Sequence, residues 1–387
     1  MKVLYITTMY PIPEYPQQGI FCHEQVKALM QLGVQVTVVV PIPFYSRQKE
    51  KEWTYEGVCI QYIRFFKLPG SSDFHKTGQA LYRRLEKSFD LSDFDIYHAD
   101  APLPSGYAAM LAADNYDKPF IVHGHGLDVF LDESYMGNRN CREISAACKL
   151  VYEKADAIAG VSQKVLKKIQ ERVDIKEKAY VVYNGVDTKR FFPVEQEDNK
   201  KVVITSIGNL IPLKGHEYTL RAVKEIVDKG FDKIRLKLVG RGELEQNLKN
   251  LSKELGLDKF VEFLGYISYS DIACLLQNSD IFVLPSYYEA LGCVYLEAMA
   301  CGIPVIGCKG NGIDEIIINA KNGFLVDKKN VQQITNVLLE LMNTEKRKDI
   351  GIKARNSVVN QYQWRNSAES LLKVYEKVFS RYRIDGL

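Results

Sequence analysis

The sequence predicts an α/β protein made of two doubly wound parallel sheets. Three observations carry this reading. Short β-branched runs alternate with amphipathic segments through the first half, the polar run EQEDNKK from Glu195 to Lys201 interrupts the rhythm, and the same alternation then restarts. Strand and helix in strict alternation are the pattern of βαβ units on a parallel sheet.

The first series runs Val3–Thr7, a helix around Phe21–Leu32, Val36–Val40, Ile60–Phe65, a helix near Lys76–Phe89, and Ile96–His98. It continues with a helix around Ser105–Asp114, the strand Phe120–His123, a helix within Arg139–Lys154, Ala157–Val161, a lysine-rich helix capped by Ser162, and the strand Ala179–Tyr183. The second series runs Val202–Ile207, a helix over Glu217–Lys229, Arg235–Val239, a helix over Leu244–Leu255, Val261–Phe263, and a short helix at Ser270–Asn278. Ile281–Leu284, a helix over Val294–Ala300, Pro304–Gly307 and Gly323–Val326 complete it. From about Val331 to Tyr382 the chain reads as helical throughout, a tail able to pack back across the first domain.

Composition sets the class. The 387 residues are 46% hydrophobic and 26% charged, average for a globular protein, and at this length two domains are expected. The 8 cysteines form no C-x-x-C pair and lie mostly in apolar surroundings, so reduced thiols, no disulfide framework and no zinc site are expected. A net charge of +3 with both signs interspersed argues against a nucleic-acid partner. The opening MKVLYITTMYPIP suits a first strand better than a signal peptide, and no apolar stretch is long enough to span a membrane.

Open α/β sheets bind ligands beyond the carboxyl ends of their strands, so the strand-to-helix turns of the second series are where chemistry is sought. Gly208 to His216 carries Lys214, which reads as a point charge for a phosphate or as a solvated loop lysine. Gly240-Arg241-Gly242 lets backbone approach a ligand, but the dinucleotide fingerprint is not completed, and a plain turn explains it as well. Gly292 stands where a helix begins, and helix amino ends attract anions. Around it lie Glu289, in the loop, and Glu297, inside the helix. Eight residues at a helical turn angle leave the two roughly 80° apart, so they suit two parts of one long ligand better than a paired acid and base. A carboxylate accepts from vicinal sugar or ribose hydroxyls; otherwise it needs an internal cation.

In the first series, His123, His125 and Asp128 follow the strand Phe120–His123. Metal binding would require further ligands at sensible spacing, which the local sequence lacks, so substrate orientation or a structural role remains. Asp93-Phe94-Asp95 precedes its strand, at the wrong end of the sheet, and reads as a loop or cap.

Taken together, the motifs resemble the family 4 retaining glycosyltransferases. The resemblance rests on EALGCVYLE followed by AMACGIPVI, Asn184-Gly185-Val186-Asp187 with the following Phe-Pro, the turn from Gly208 to Gly215, His125-Gly126-Leu127-Asp128, and Gly310-Asn311-Gly312-Ile313-Asp314-Glu315 with Asn322-Gly323, all in order over nearly the whole chain. It implies the GT-B fold of two Rossmann-like domains facing across a cleft, with an acceptor domain over 1–190, a donor domain over 201–365 and a C-terminal helix, 366–387, returning to the first domain.

The resemblance also implies roles. Glu297 would hold the ribose hydroxyls and Glu289 those of the transferred sugar, while Leu291, Gly292, Cys293 and Val294 give backbone contacts near the diphosphate. Lys214 would neutralise the leaving diphosphate without a metal, with Asn209, Gly240, Arg241, Tyr266 and Ile267 flanking the nucleotide. His125 would be catalytic with Lys214 and Glu289, and Gly19, His123 and Asp128 would lie near sugar and acceptor. Two departures stand out. Asn209 replaces a common arginine, a charge Arg241 would have to supply, and the loop Pro16-Gln17-Gln18-Gly19-Ile20-Phe21 carries one glycine instead of a pair.

The expectation is therefore a cytosolic, metal-independent, retaining enzyme that moves a sugar from a UDP-sugar, or less readily a GDP-sugar, to a saccharide acceptor. That acceptor is expected to be lipid-linked at the inner membrane face, in cell-surface polysaccharide synthesis, with docking through Phe74–Phe89 and Lys164–Lys178. A nucleotide-sugar epimerase, a glycosyltransferase for a small soluble acceptor and a noncatalytic sugar-binding protein are the alternatives.

Overall fold

The computed structural model describes residues 1–13, 18–46, 48, 51–67, 74–126, 129, 141–195 and 201–385. The chain forms two compact units, Met1–Asn184 with Trp364–Leu387, and Gly185–Gln363.

The first unit contains β1 (Lys2–Ile6), α1 (Ile20–Gln31), β2 (Gln35–Pro43), β3 (Glu52–Tyr55), β4 (Val58–Phe65), α2 (Phe74–Ser88), β5 (Ile96–Asp100), α3 (Tyr107–Tyr116), β6 (Phe120–Gly124), α4 (Cys141–Lys154), β7 (Ala157–Gly160), α5 (Gln163–Gln170) and β8 (Ala179–Val181). Its sheet has the order β3-β4-β2-β1-β5-β6-β7-β8. All neighbours are parallel except β3 and β4, an antiparallel hairpin turning at Glu56-Gly57. The sequence reading missed β3, an edge strand whose stacked Trp53 and Tyr55 share one face. The lysine-rich α5 begins as expected, with the Ser162 hydroxyl accepting from Val165 N at 3.3 Å. Asp93-Phe94-Asp95 is structural: Asp95 Oδ2 accepts from the backbone N–H of Lys2 at 2.7 Å.

The second unit contains β9 (Val202–Ile207), α6 (His216–Asp228), β10 (Ile234–Val239), α7 (Glu245–Glu254), β11 (Val261–Gly265), α8 (Tyr269–Gln277), β12 (Ile281–Val283), α9 (Cys293–Ala300), β13 (Val305–Cys308), β14 (Phe324–Val326), α10 (Val331–Leu341) and α11 (Thr344–Gln361). Its sheet is wholly parallel, in the order β11-β10-β9-β12-β13-β14. Renumbered from β9, this is the doubly wound order 3-2-1-4-5-6, whose switch point lies between β9 and β12. Its core packs Ile204, Leu220, Val223, Leu236, Ile281 and Ile306 with Leu338 of α10.

The tail is three helices, not one continuous stretch: breaks at Asn343 and Tyr362 separate α10, α11 and α12 (Trp364–Asp385). Asn343 caps α11, its side chain accepting from Lys346 N. α12 belongs to the first unit, where Trp364, Ala368, Leu371, Val374, Tyr375 and Val378 join a core with Val3, Leu29 and Ile121.

Candidate active site

In the second unit the predicted residues gather where β9 and β12 end, on the two sides of the switch point. Beyond β9 the chain makes a short 3-10 turn over Pro212–Lys214 before α6. Beyond β12 it runs through Ser286 and Glu289 to Gly292 and α9. The loops are tied together by Tyr287 N donating to Leu213 O at 2.7 Å, and by Lys214 Nζ to Glu289 Oε2 at 2.5 Å. Both side chains of that pair remain partly open to solvent.

The Glu289 loop is held from a third element. Asn311 Oδ1 accepts from Glu289 N at 3.1 Å, its amide donates to Ser286 O at 2.7 Å, and Gly312 N donates to Glu289 O at 3.0 Å. Asn311 belongs to a motif the sequence singled out, yet its task of clamping Glu289 was not foreseen.

Gly292 precedes α9 with φ 86°, and a Cβ there would meet the Tyr295 ring at 2.7 Å and Glu289 Cγ at 2.9 Å. Glycine is therefore required both for backbone conformation and for space. Leu291 is buried beside it, and Cys293 and Val294 open the helix.

Glu297 is buried one turn further on, apart from Glu289. Burial pushes its carboxyl up to about 7, against a hydrogen bond from Tyr269 and the charge of Arg190. The Arg190 guanidinium lies over the Tyr269 ring, 4.9 Å from its centroid. Thus each glutamate has an internal partner, and the two occupy separate environments. Arg190 and Tyr269 had no signal in the sequence pattern; only their contacts reveal them.

The remaining donor-side candidates form a rim. Asn209 and Arg241 are exposed on adjoining turns, joined by Leu210 N to Arg241 O at 2.9 Å. Gly240 N donates to Gly265 O at 2.8 Å, and Tyr266 and Ile267 follow, with Tyr266 exposed. Behind the Lys214 turn, His216 is buried against Ser206 Oγ at 3.1 Å, and burial drives its imidazole down to about 4.

In the first unit, Gly19 precedes α1 with φ 61°, and a Cβ there would fall 2.1 Å from Met9 O. Asp128 and the loop residues Pro16 and Gln17 lie outside the described residues. His123 and His125 do not stand by themselves at the end of β6. Asp100, the last residue of β5 and the register partner of His123, accepts on Oδ1 from His125 Nε2 at 2.8 Å and from Tyr5 OH at 3.0 Å. The donor atoms of His98, Asp100 and His123 lie within 4.8 Å of one another. Parallel pairing thus brings His98 and Asp100 of β5 to the histidines, a neighbourhood that spacing along the sequence does not reveal. Burial opposes charge on Asp100, yet His125 and His98 beside it hold its carboxyl well below the usual range. His123 is pushed strongly downward by burial, with His125 acting in the same direction.

Two family models divide the chain between them: Glycosyltransferase Family 4 matches residues 18–190 and Glycosyl transferases group 1 matches residues 187–357. The chain belongs to the glycosyltransferases. Among relatives of this glycosyltransferase, the N-acetyl-alpha-D-glucosaminyl L-malate synthase of Bacillus anthracis is 26% identical, covering 98% of this chain and 97% of the relative. The GDP-mannose-dependent monoacylated alpha-(1-6)-phosphatidylinositol monomannoside mannosyltransferase of Corynebacterium glutamicum is 29% identical over 84% of this chain and 85% of its own. In fold, the glycosyltransferase matches sucrose-phosphate synthase from Thermosynechococcus elongatus with a TM-score of 0.83 at 18% identity, covering 98% of this chain and 100% of that one. It matches Anabaena Alr3699/HepE in complex with UDP-glucose at 0.76 and 19%, covering 97% and 100%. The two Rossmann-like sheets are thus those of GT-B enzymes.

Proposed function

We propose that the enzyme transfers a sugar, with retention of anomeric configuration, from a UDP-sugar to a saccharide acceptor in cell-surface polysaccharide synthesis. The observation that carries the reading is the meeting of Lys214 and Glu289 across the switch point of the second sheet, beside the amino end of α9. A cation and a hydroxyl acceptor at that place suit a diphosphate joined to a sugar.

In this reading Lys214 leaves Glu289 for the diphosphate, and Glu289 turns to the sugar hydroxyls. Glu297 accepts from the ribose, held by Tyr269 and Arg190. The acceptor hydroxyl attacks the anomeric carbon on the face the phosphate leaves. Its oxygen forms the new glycosidic bond, the bond to phosphate breaks, and the proton passes to the departing phosphate oxygen. Lys214 stabilises the charge that builds there, so no metal is required. A glycosyl adduct trapped on Glu289 would sink this front-face course.

The acceptor is proposed to be lipid-linked, with the enzyme cytoplasmic and docked at the inner membrane face. Supporting this, Phe66 is 61% exposed and stacked on Phe44, beside Lys76, Arg83, Arg84 and Lys87 of α2. Aromatic and basic side chains together suit an anionic lipid surface. No helix among the described residues is long and apolar enough to cross a membrane. Flotation that leaves the enzyme unbound by anionic vesicles would count against docking. The malate-using relative favours a second reading, a small soluble acceptor.

Hydrolysis of UDP-, GDP- and ADP-sugars without acceptor tests the donor assignment. Release of UDP with one sugar preferred is expected. Preference for GDP-mannose would move the donor assignment toward the Corynebacterium relative.

A further inference from the structure

Asp100 is wholly buried, yet it collects three donors on one oxygen: His125 Nε2 at 2.8 Å, Tyr5 OH at 3.0 Å and His98 Nε2 at 3.4 Å. A buried carboxylate can only accept, so both imidazoles place their proton on Nε2. His98 Nδ1 is then an acceptor, and Tyr375 OH, from α12, donates to it at 2.8 Å. Every hydrogen bond in the set thus has a fixed direction, and the donations converge on Asp100: from the C-terminal helix through His98 on one side, and from His125 in the loop after β6 on the other. Ring contacts fix the planes. Tyr5 stacks on His98 at 4.3 Å, and His125 lies between Phe21 at 5.0 Å and His123 at 4.4 Å.

From this geometry we infer that Asp100 is a positioning residue for His125, fixing its ring in the Nε2–H form and favouring its protonated state. The inference rests on the reading of His125 as a residue of the sugar and acceptor site. Among the described residues, the titratable groups around the pair include Tyr5 on β1, Tyr10 in the loop after β1, Cys22 on α1, His98 on β5, His123 on β6 and Tyr375 on α12. Asp100 is a carboxylate in direct hydrogen-bond contact with His125, and its negative charge favours an imidazolium there. With His125 so held, a positive or hydrogen-bonding edge is kept at one place beside the reacting sugar. Removal of Asp100 frees both the ring's angle and its choice of tautomer.

The test is ring nitrogen NMR on the full chain labelled with 15N-histidine. Its six histidines keep the spectrum tractable, and His125→Gln assigns the signal. The expected result is an Nε2-protonated His125 in the native enzyme and a titration displaced to lower pH in Asp100→Asn. Turnover of Asp100→Asn should fall by about 10- to 100-fold with UDP affinity unchanged, the loss usual when an orienting partner is removed. A neutral His125 that carries its single proton on Nδ1 in the native enzyme, or a titration unmoved in Asp100→Asn, overturns the inference. The native spectrum needs no variant, so it decides even where Asp100→Asn does not fold. Full turnover in His125→Gln would instead overturn the site reading, leaving the ring spectra to judge Asp100.

Discussion

Lys214 Nζ stands 2.5 Å from Glu289 Oε2, although the two belong to loops that follow different strands of the second sheet. Without a donor, each satisfies the other. In the proposed function, a diphosphate that recruits Lys214 would draw it from Glu289, coupling phosphate and sugar recognition through one ion pair.

Lys214→Ala should lower kcat by about 100-fold, because charge on the leaving diphosphate grows toward the transition state. Glu297→Ala should act chiefly on donor affinity. Steady-state kinetics beside calorimetry with UDP separate the two; equal, small effects would mean that both side chains serve the fold alone.

Glu297 gives a dependence on pH. Its carboxyl is raised to about 7, and only the ionised form accepts from both ribose hydroxyls. UDP affinity should therefore weaken as pH falls from 8 to 6, and Glu297→Gln should remove that slope. Calorimetry at four pH values is sufficient, and a native affinity flat across the range would refute the assignment.

The same group affects stability with the opposite sense. A carboxyl raised on folding binds more protons in the native state, so its contribution is full below its unfolded pKa and is lost as pH rises through about 7. His216, lowered to about 4, contributes above its unfolded pKa and loses that contribution as pH falls toward 4. The two slopes oppose one another between these limits. Glu297→Gln should unmask the histidine slope, so that melting temperature falls more steeply in acid than in the native enzyme.

Gly292→Ala places a Cβ against the Tyr295 ring and Glu289 Cγ, at a positive φ. The expected cost is about 1–3 kcal/mol with a displaced Glu289 loop. Denaturant unfolding reads the first effect and UDP-sugar affinity the second. Wild-type values for both would show that the loop yields freely.

Trp364→Ala empties the first turn of α12 where it packs into the core of the first unit. A loss of about 3–5 kcal/mol is expected. Because α12 also carries Tyr375, the ring spectrum of His98 should change in this variant.

The alternation of apolar runs, read residue by residue, was enough to establish two parallel sheets, and the strand ends of the second sheet were placed within a residue or two. Local pattern suffices there because the side-chain period and the punctuation by glycine and asparagine are properties of neighbouring residues. EALGCVYLE likewise showed in advance that Glu289 and Glu297 point to different places. The edge strand β3 escaped because it is brief and, among the described residues, pairs with its hairpin partner alone.

What only the tertiary structure decided are the partners. Parallel register sets Asp100 opposite His123, 23 residues apart in the chain, and thereby brings Asp100 to His125. α12 returns Tyr375 to His98 across 277 residues. Arg190 and Tyr269 meet Glu297 from separate elements. Local periodicity determines which face a residue occupies, but strand order, register and the path of the tail determine which charge it faces, and those are settled only when the whole core packs.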